Sequence, residues 1–471
     1  MKKLSELYEC NLDIEIKDIK INSKEIEKGD MFVCINGVNS DRHDFINDAI
    51  DKGASCLMVS KDANYSIPFI KVDDVNNELG VLSKKFYDNP TSKLKTIGIT
   101  GTDGKTTTAS IIRNMLGNDK CGYIGTNGVY CKKEKKTQDN TTPEINTIYK
   151  NLDNFVKNDL KYVTMEISSE ALFRNRTNTL ELDIAIITNI TEDHLNVHES
   201  IENYISSKEK IFSLLKNDGV AILNSDDSHY ERLRKNIKKR VLTYGKSISS
   251  DLVIIEIKEY DTGTIFSFSY GDKIYKVISP LVGEFNVYNL SAAILALICL
   301  DFSVEEAIEK VAMIDNVDGR CEFIKYPLDY KIVIDYAHTA NALKNILTYL
   351  NKIKKSRIIT VTGSAGGREK EKRKDMGNVV LSLSDFVIFT MDDPRWENVE
   401  DIIDDMISDN KNTNYTRISD REEAIKYAID LAKKDDIILI AGKGKDNYMA
   451  IEDRHVDYND FDVVMKYINN C

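Results

Sequence analysis

Apolar residues in this chain come in short blocks separated by amphipathic stretches. In the last third, the β-branched runs "KIVIDY", "RIITVTG", "DFVIFTMD" and "DIILIAG" alternate with helical segments near 340–352, 370–383, 398–408 and 420–433. Near-continuous apolar strands separated by helices predict a doubly wound α/β sheet, which binds ligands beyond the carboxyl ends of its strands. Three of these strands run into polar clusters, Asp335 to His338, Gly363 to Arg368 and Asp392 to Arg395, and the fourth enters "GKGKD". Upstream, "KTIGIT", "KYVTMEI", "DIAIITN" and "GVAILN" predict a second, largely parallel sheet. Residues 1 to about 90 alternate the strands "DMFVCI", "ASCLMVS" and "IPFIKV" with the helical stretches "HDFINDAIDKG" and "NNELGVLSKKFYD". With "DNPTSK" and "IKYPLDYK" as joints, three α/β units are expected, over 1–92, 93–327 and 328–471.

A length of 471 residues agrees with about three domains. The formal net charge of −12 argues against non-specific binding to nucleic acid or to an anionic membrane. Eight cysteines without a C-x-x-C pair suggest reduced thiols and no zinc ribbon. "MKKLSELYEC" has no apolar core of a signal peptide, and "AAILALICL" is far shorter than the ~20 residues that span a bilayer, so a cytoplasmic protein without stable membrane insertion is expected.

The stretch "TIGITGTDGKTTT" carries the most specific chemistry. A phosphate loop needs small residues that let backbone N–H groups close on anionic oxygens, a Lys that reaches the terminal phosphates, and a hydroxyl for Mg2+. Gly101, Gly104, Lys105 and Thr106 supply these parts, although Ile99 stands where the commonest spelling has its first Gly. A strand before the loop and a helix after it aim backbone dipoles at the anion.

Together, "GTDGKTTT", "DNTTPE", "MEISSEAL", "TNITEDHLNVH", "ENYISSKEKIF", "GEFNVYN", "VDGR", "DYAHT", "DDPR" and "AGKGKD" resemble, in order and over nearly the whole chain, the Mur ligase superfamily, most closely the MurE type. That type adds the third amino acid to UDP-N-acetylmuramoyl-L-alanyl-D-glutamate. The resemblance implies a small N-terminal α/β domain for the UDP-muramoyl substrate, a central P-loop ATPase-like domain and a C-terminal Rossmann-like domain for the amino acid. It further implies ATP-dependent amide-bond formation through an acyl phosphate in peptidoglycan precursor synthesis, by a monomer. Lys105 would hold the β- and γ-phosphates, within an ATP set of Gly101, Thr102, Gly104, Thr106, Thr107, Asn286, Asn289, Arg320 and Asp335. Thr106, Glu166, His194 and Lys208, the last as a carbamate, would serve Mg2+ or, in its place, Mn2+. Taken by itself, Glu166 is also a plain strand-end carboxylate, His194 a loop-packing histidine and Lys208 a solvated helix lysine. His338 would position or deprotonate the incoming amine, or simply form a strand-to-helix turn.

Ser23, Thr141, Thr142, Ser169 and Arg176 match positions that hold the muramoyl peptide. Arg368, Asp392, Asp393, Pro394, Arg395, Gly442 and Asp446 match those around the added amino acid. An Arg at 395 suits a distal carboxylate, as in meso-diaminopimelate, with L-lysine the other option. Several residues depart from the family pattern: Asn22, Lys24, Arg42, Asp103 for Asn, Glu170 for His, and Lys445-Asp446 for His-Glu. Glu170 puts negative charge near an anionic substrate. A diverged paralogue acting on another carboxylate, and a Mur-like binding subunit without ligation, therefore remain as alternatives.

Overall fold

The computed structural model describes residues 1–469 except 38, 39, 63, 139, 315, 316, 318 and 409. Asp139 of "DNTTPE", Asp318 of "VDGR" and Cys471 thus lie outside the described residues. Three sheets carry the architecture.

The first is a four-stranded parallel sheet in sequence order, β1 (Ile19–Lys20), β2 (Met31–Val33), β3 (Cys56–Val59) and β4 (Phe69–Lys71), followed by α1 (Val75–Phe86). Met31, Met58, Leu79 and Leu82 share a buried core with Ile148, Leu152 and Phe155 of the central unit. Polar contacts reinforce this seam, with Lys150 paired to Asp18 at 2.6 Å and Asn146 donating to the Ile19 carbonyl at 3.2 Å.

The central sheet has eleven strands. In chain order its elements are β5 (Lys95–Thr100), α2 (Lys105–Leu116), β6 (Cys121–Gly125), β7 (Gly128–Cys131), β8 (Glu134–Lys136), α3 (Ile145–Lys157), β9 (Tyr162–Glu166), α4 (Ser169–Phe173), β10 (Leu182–Ile187), α5 (Ile201–Glu209), β11 (Leu215–Asn224), β12 (Arg240–Gly245), β13 (Leu252–Tyr260), β14 (Gly263–Tyr270), β15 (Lys273–Ser279) and α6 (Glu284–Cys299). The spatial order is β8-β7-β6-β9-β5-β10-β11-β12-β13-β14-β15. Strands β6, β9, β5, β10, β11 and β12 run parallel. The phosphate-loop strand β5 lies among them, buried on both faces, which explains its unbroken apolar sequence. Beyond β12 the sheet becomes an antiparallel meander over 252–279, an element that the block pattern did not reveal. Helix α6, buried on almost every side, packs on α2 and closes this core.

The third sheet bears out the doubly wound expectation. It contains β16 (Glu322–Phe323), β17 (Lys331–Asp335), α7 (Ala340–Ile353), β18 (Ile358–Thr362), α8 (Glu371–Leu383), β19 (Phe386–Phe389), α9 (Val399–Ile407), β20 (Tyr415–Arg417), α10 (Arg421–Leu431), β21 (Ile437–Ala441), a separate hairpin β22 (Tyr448–Ile451) and β23 (Arg454–Asp457), and α11 (Asp460–Ile468). The order is β16-β17-β21-β18-β19-β20, with every pair parallel except β16 with β17. Among the described residues no helix is long and apolar enough to cross a membrane, and the seven described cysteines are free thiols.

One buried ion pair holds the ends of two strands of this sheet. Arg421 and Asp460 form a two-pronged contact with both distances at 2.8 Å and both side chains wholly buried. Arg421 also donates to the carbonyls of Met391 at 3.3 Å and Ala441 at 2.9 Å, just after β19 and at the end of β21. Removing one partner of such a pair leaves an uncompensated buried charge. Asp460→Ala is therefore expected to lower stability by about 3–5 kcal/mol, read as a shift of the guanidinium denaturation midpoint. A loss below about 1 kcal/mol would show that water reaches Arg421.

Candidate active site

The phosphate loop leaves the carboxyl end of β5 and is fixed by the next strand's exit loop. Thr102 N donates to Asn189 O at 2.9 Å, Asp103 N to Asn189 Oδ1 at 3.0 Å, and Thr188 Oγ1 to Asp103 O at 2.6 Å. Gly104 has φ +83°, and a Cβ there would lie 2.6 Å from Asn289 Oδ1; a Cβ on Gly101 would lie 1.9 Å from Thr188 Oγ1. No side chain larger than hydrogen fits either place. Thr107 continues the loop into the first turn of α2 and is buried.

Two lysines meet over this loop. Lys105 Nζ donates to Gly101 O and Thr102 O, both at 2.8 Å, and Lys208 Nζ, from α5, donates to the same Gly101 O at 2.7 Å. Lys208 is 1% exposed and lies 4.4 Å from the Tyr204 ring centroid. Neither lysine has a carboxylate within ion-pair distance among the described residues. Burial, and then the charge of Lys105, pushes Lys208 far below the ordinary lysine value, and burial lowers Lys105 as well.

Glu166 ends β9, whose pairing with β5 sets Glu166 opposite Ile99 and so brings it beside the loop. Fully buried, its carboxylate accepts from Thr106 Oγ1 at 2.8 Å, from Thr126 N and Oγ1 at 3.0 Å each, and from the Tyr123 hydroxyl. Thr142 Oγ1 donates to the Glu166 carbonyl at 2.9 Å, and Thr141 Oγ1 lies 3.0 Å from Thr126 Oγ1. Thr106, Glu166, Thr141 and Thr142 therefore form one ledge.

His194 stands across the cleft with Nε2 3.4 Å from Asp193 Oδ2, its ring edge half exposed. Burial of the rest, with Lys105, Lys208 and Lys372 nearby, holds its imidazole down at about 4 against the pull of Asp193. Asp193 itself is held at about 2 by the facing His194, Lys372, His338 and Lys105, which outweigh its burial.

The third sheet supplies the opposite wall. Arg320 Nη2 donates to Thr106 Oγ1 at 3.2 Å and its guanidinium lies 4.6 Å from the Tyr336 ring centroid, while its buried Nε has no partner among the described residues. Asp335 accepts from Cys321 N at 2.6 Å and Ala337 N at 2.7 Å; burial raises its carboxyl, against the charge of Arg320. Asn286 and Asn289 are bonded to each other at 3.1 Å on α6, and Thr108 Oγ1 donates to Asn289 Oδ1 at 3.2 Å behind the loop. His338 is exposed with Nδ1 2.6 Å from Tyr336 O; a carbonyl only accepts, so Nδ1 carries a proton and, in the neutral ring, Nε2 presents its lone pair. Asp103, which stands where the family has Asn, reaches Asn341 Nδ2 at 2.9 Å and Thr339 Oγ1 at 3.3 Å, tying the loop to α7. Between the two sheets lies a cavity of about 640 Å3 bordered by Gly104, Asn189, Asn289, Arg320 and Asn345.

The residues matched to the muramoyl peptide divide. Ser169 is buried at the start of α4, three residues beyond Glu166, with Oγ 3.1 Å from His198 Nε2. Arg176 contacts Glu144 at 3.1 Å and Glu170 at 3.2 Å, and Glu170 also takes Arg174 at 2.8 Å. The arginine is thus already neutralised by two carboxylates. Ser23 is buried in the first sheet unit, where its carbonyl takes Lys52 at 3.2 Å, apart from the phosphate-loop cluster.

At the carboxyl ends of β19 and β21, "DDPR" and "GKGKD" face each other. Lys443, 1% exposed, contacts Asp393 at 2.7 Å and Asp446 at 3.3 Å; Asp446 also accepts from Tyr336 Oη at 2.7 Å. Asp392 is buried and raised, and its Oδ2 would be 2.1 Å from a Cβ on Gly442, so this glycine is needed for close approach. Pro394 is buried behind the loop. Arg395 is half-buried, donates to Gly366 O at 2.6 Å, and meets no carboxylate among the described residues; its backbone pairs with β22. Arg368 is exposed and makes no ion pair among the described residues. Tyr123, Thr126, Asp193 and His198 line the site without having been singled out from sequence. Asp193 and His198 stood inside the quoted "TEDHLNVH", whereas nothing local marks Tyr123 or Thr126.

Residues 15–90, 99–297 and 319–444 match, respectively, the Mur ligase family catalytic domain, the Mur ligase middle domain and the Mur ligase glutamate ligase domain. The chain is 36% identical over 470 residues to UDP-N-acetylmuramoyl-L-alanyl-D-glutamate--2,6-diaminopimelate ligase 1 of Clostridium acetobutylicum, with 98% of this chain and 97% of that protein covered. A 2,6-diaminopimelate ligase of the same description from Fusobacterium nucleatum is 37% identical over 469 residues, covering 98% and 96%. A solved structure of such a ligase aligns with a TM-score of 0.70 at 27% identity, over 100% of this chain and 99% of that one. The chain belongs to the Mur ligase family.

Proposed function

We propose that this protein is an ATP-dependent ligase that joins an amino acid, meso-diaminopimelate in preference to L-lysine, to UDP-N-acetylmuramoyl-L-alanyl-D-glutamate in peptidoglycan precursor synthesis. The convergence of Lys105, Lys208, Thr106, Glu166 and Arg320 on the phosphate loop, which borders the inter-sheet cavity at Gly104, carries this reading. The relatives named above are 2,6-diaminopimelate ligases, which supports the choice of substrates. On this reading residues 1–92 take the UDP-muramoyl portion with Ser23, 93–327 the ATP, and 328–471 the amino acid, in a cytoplasmic monomer.

ATP enters the cavity with its phosphates on the loop N–H groups and Lys105. Arg320 faces the same oxygens, and its Nε, without a partner among the described residues, adds a donor there. Asn286, Asn289 and Asp335 shape the nucleotide side. The oxygens of Thr106 and Glu166 suit a hard cation, Mg2+ or Mn2+, and His194 is held neutral, as a ligand must be. When bound, the cation offsets negative charge on the phosphates. Lys208 fits this set only after reaction with CO2, and the depressed basicity of its buried amine favours the neutral form that reaction needs. The muramoyl peptide lies along Thr141, Thr142, Ser169 and Arg176, and its carboxylate takes the terminal phosphoryl group. His338 Nε2 can accept a proton as the amine attacks, releasing phosphate. Arg395, which meets no carboxylate among the described residues, offers a fork to a carboxylate at the far end of the incoming side chain, with Arg368, Asp392, Asp393, Pro394, Gly442 and Asp446 around it. Asp446 is already engaged by Tyr336 and Lys443, so an ammonium would share its carboxylate with them.

Phosphate release from purified protein with ATP, across UDP-muramoyl peptides and amino acids, tests the function: release that needs both acceptors supports it, and none with any pair leaves a binding subunit. Lys105→Ala should slow turnover by at least about 10²-fold, because a cation is lost where charge develops; near-normal turnover would place the nucleotide elsewhere. In competition, wild type should choose meso-diaminopimelate over L-lysine and Arg395→Ala should lose that choice, whereas a wild-type preference for lysine contradicts the assignment.

One observation favours a second reading, a paralogue with an altered acceptor: Glu170 occupies Arg174 and Arg176. If the acceptor is the anionic dipeptide, Glu170→Gln should lower its KM several-fold, on the order of 1 kcal/mol, with the KM for ATP unchanged. A higher KM would mean that Glu170 itself binds an acceptor group carrying hydrogen-bond donors.

A further inference from the structure

Behind the muramoyl-peptide side of the cleft runs a chain of buried hydrogen bonds whose proton positions follow from geometry. His198 is 1% exposed, with its ring 5.3 Å from Phe173 and 5.2 Å from Tyr204. Its Nδ1 lies 3.2 Å from Ser207 Oγ and its Nε2 3.1 Å from Ser169 Oγ. Ser207 Oγ lies 2.7 Å from Asn203 O, one turn back on α5. The Asn203 carbonyl cannot donate, so the single proton of Ser207 is committed to it. Ser207 must then accept from His198, which puts the imidazole proton on Nδ1. A neutral imidazole carries only one, so Nε2 bears the lone pair and Ser169 donates its hydroxyl proton to it. Burial lowers the basicity of the ring, against the opposing charge of Glu170, and so favours its neutral form. Ser169 Oγ has no other hydrogen bond among the described residues, and with its proton committed it can only accept from a ligand.

We propose that His198 is a positioning residue that makes Ser169 an obligate acceptor, so that the acceptor substrate meets Ser169 with an N–H or O–H donor and not with a carboxylate. This rests on the reading that Ser169 faces the muramoyl peptide. It adds what neither the resemblance nor the relatives supply: the polarity of that contact and the residue that sets it. Ser207, next to Lys208 on α5, anchors the relay to the helix that carries the buried lysine.

Two measurements test it. Long-range proton–nitrogen spectra of protein with nitrogen-15 histidine report the tautomer directly, and the ring is assigned among the six histidines by its absence in His198→Gln. A ring protonated on Nδ1 with Nε2 bare is expected; a proton on Nε2, or on both nitrogens, overturns the proposal whatever the enzyme's substrate proves to be. In steady state, His198→Gln places a carbonyl oxygen near the Nε2 position and should keep the KM for the UDP-muramoyl dipeptide within about threefold. His198→Asn keeps only the donor toward Ser207 and should raise that KM about tenfold, with the KM for ATP unchanged. Equal KM values for the two variants would show that the ring only fills space. No turnover by wild type with the dipeptide would refute the proposed substrate and leave the tautomer result standing.

Discussion

Two lysine amines on one carbonyl oxygen, Lys105 half-buried and Lys208 buried, constrain the whole site. Lys105 and Lys208 both donate to Gly101 O, at 2.8 and 2.7 Å, with no carboxylate in ion-pair reach among the described residues. Two positive charges so close would raise the free energy of the empty cleft, and that cost falls when an anion enters or when the buried Lys208 amine loses its proton. The loop glycines, the dipole of α2 and Arg320 act in the same direction, since each places positive potential where phosphate oxygens would lie. Glu166 and Asp193 sit near the lysines without pairing to them, with Glu166 occupied by Thr106, Thr126 and Tyr123.

The site is assembled across sheets. Asp103 on the loop reaches Thr339 and Asn341 of α7, and Lys372 of α8 lies 3.8 Å from Asp193 beside His194. Asn196 N donates to Glu369 at 3.0 Å. These contacts bring the ends of β17 and β18 over the phosphate loop, so the inter-sheet cavity exists only because the two sheets face each other. The Arg421–Asp460 pair in turn fixes where β19 and β21 deliver "DDPR" and "GKGKD".

Much of this was legible in the chain. Strands buried on both faces announce themselves as apolar blocks, and the phosphate loop carries its chemistry in adjacent residues. What stayed hidden depends on distant pairing. Tyr123 meets Glu166 only because β6 and β9 are neighbours, and the acceptor role of Ser169 depends on His198, Ser207 and Asn203 acting in series. The 252–279 meander escaped because its strands are half-exposed and broken by polar residues. Glu170 was visible as a misplaced charge, but not that Arg176 would already be held by it and by Glu144. Asp446, matched to a substrate ammonium by resemblance, is taken by Tyr336 and Lys443, side chains whose approach no local pattern records.

On the proposed function, this cleft moves a phosphoryl group onto a carboxylate before the amine arrives. That step is tested most directly by turnover of dipeptide carrying oxygen-18 in the carboxylates of its D-glutamate, with mass spectrometry of the products. Transfer through an acyl phosphate leaves one labelled oxygen in each phosphate released. Unlabelled phosphate, or label carried into AMP, would contradict it.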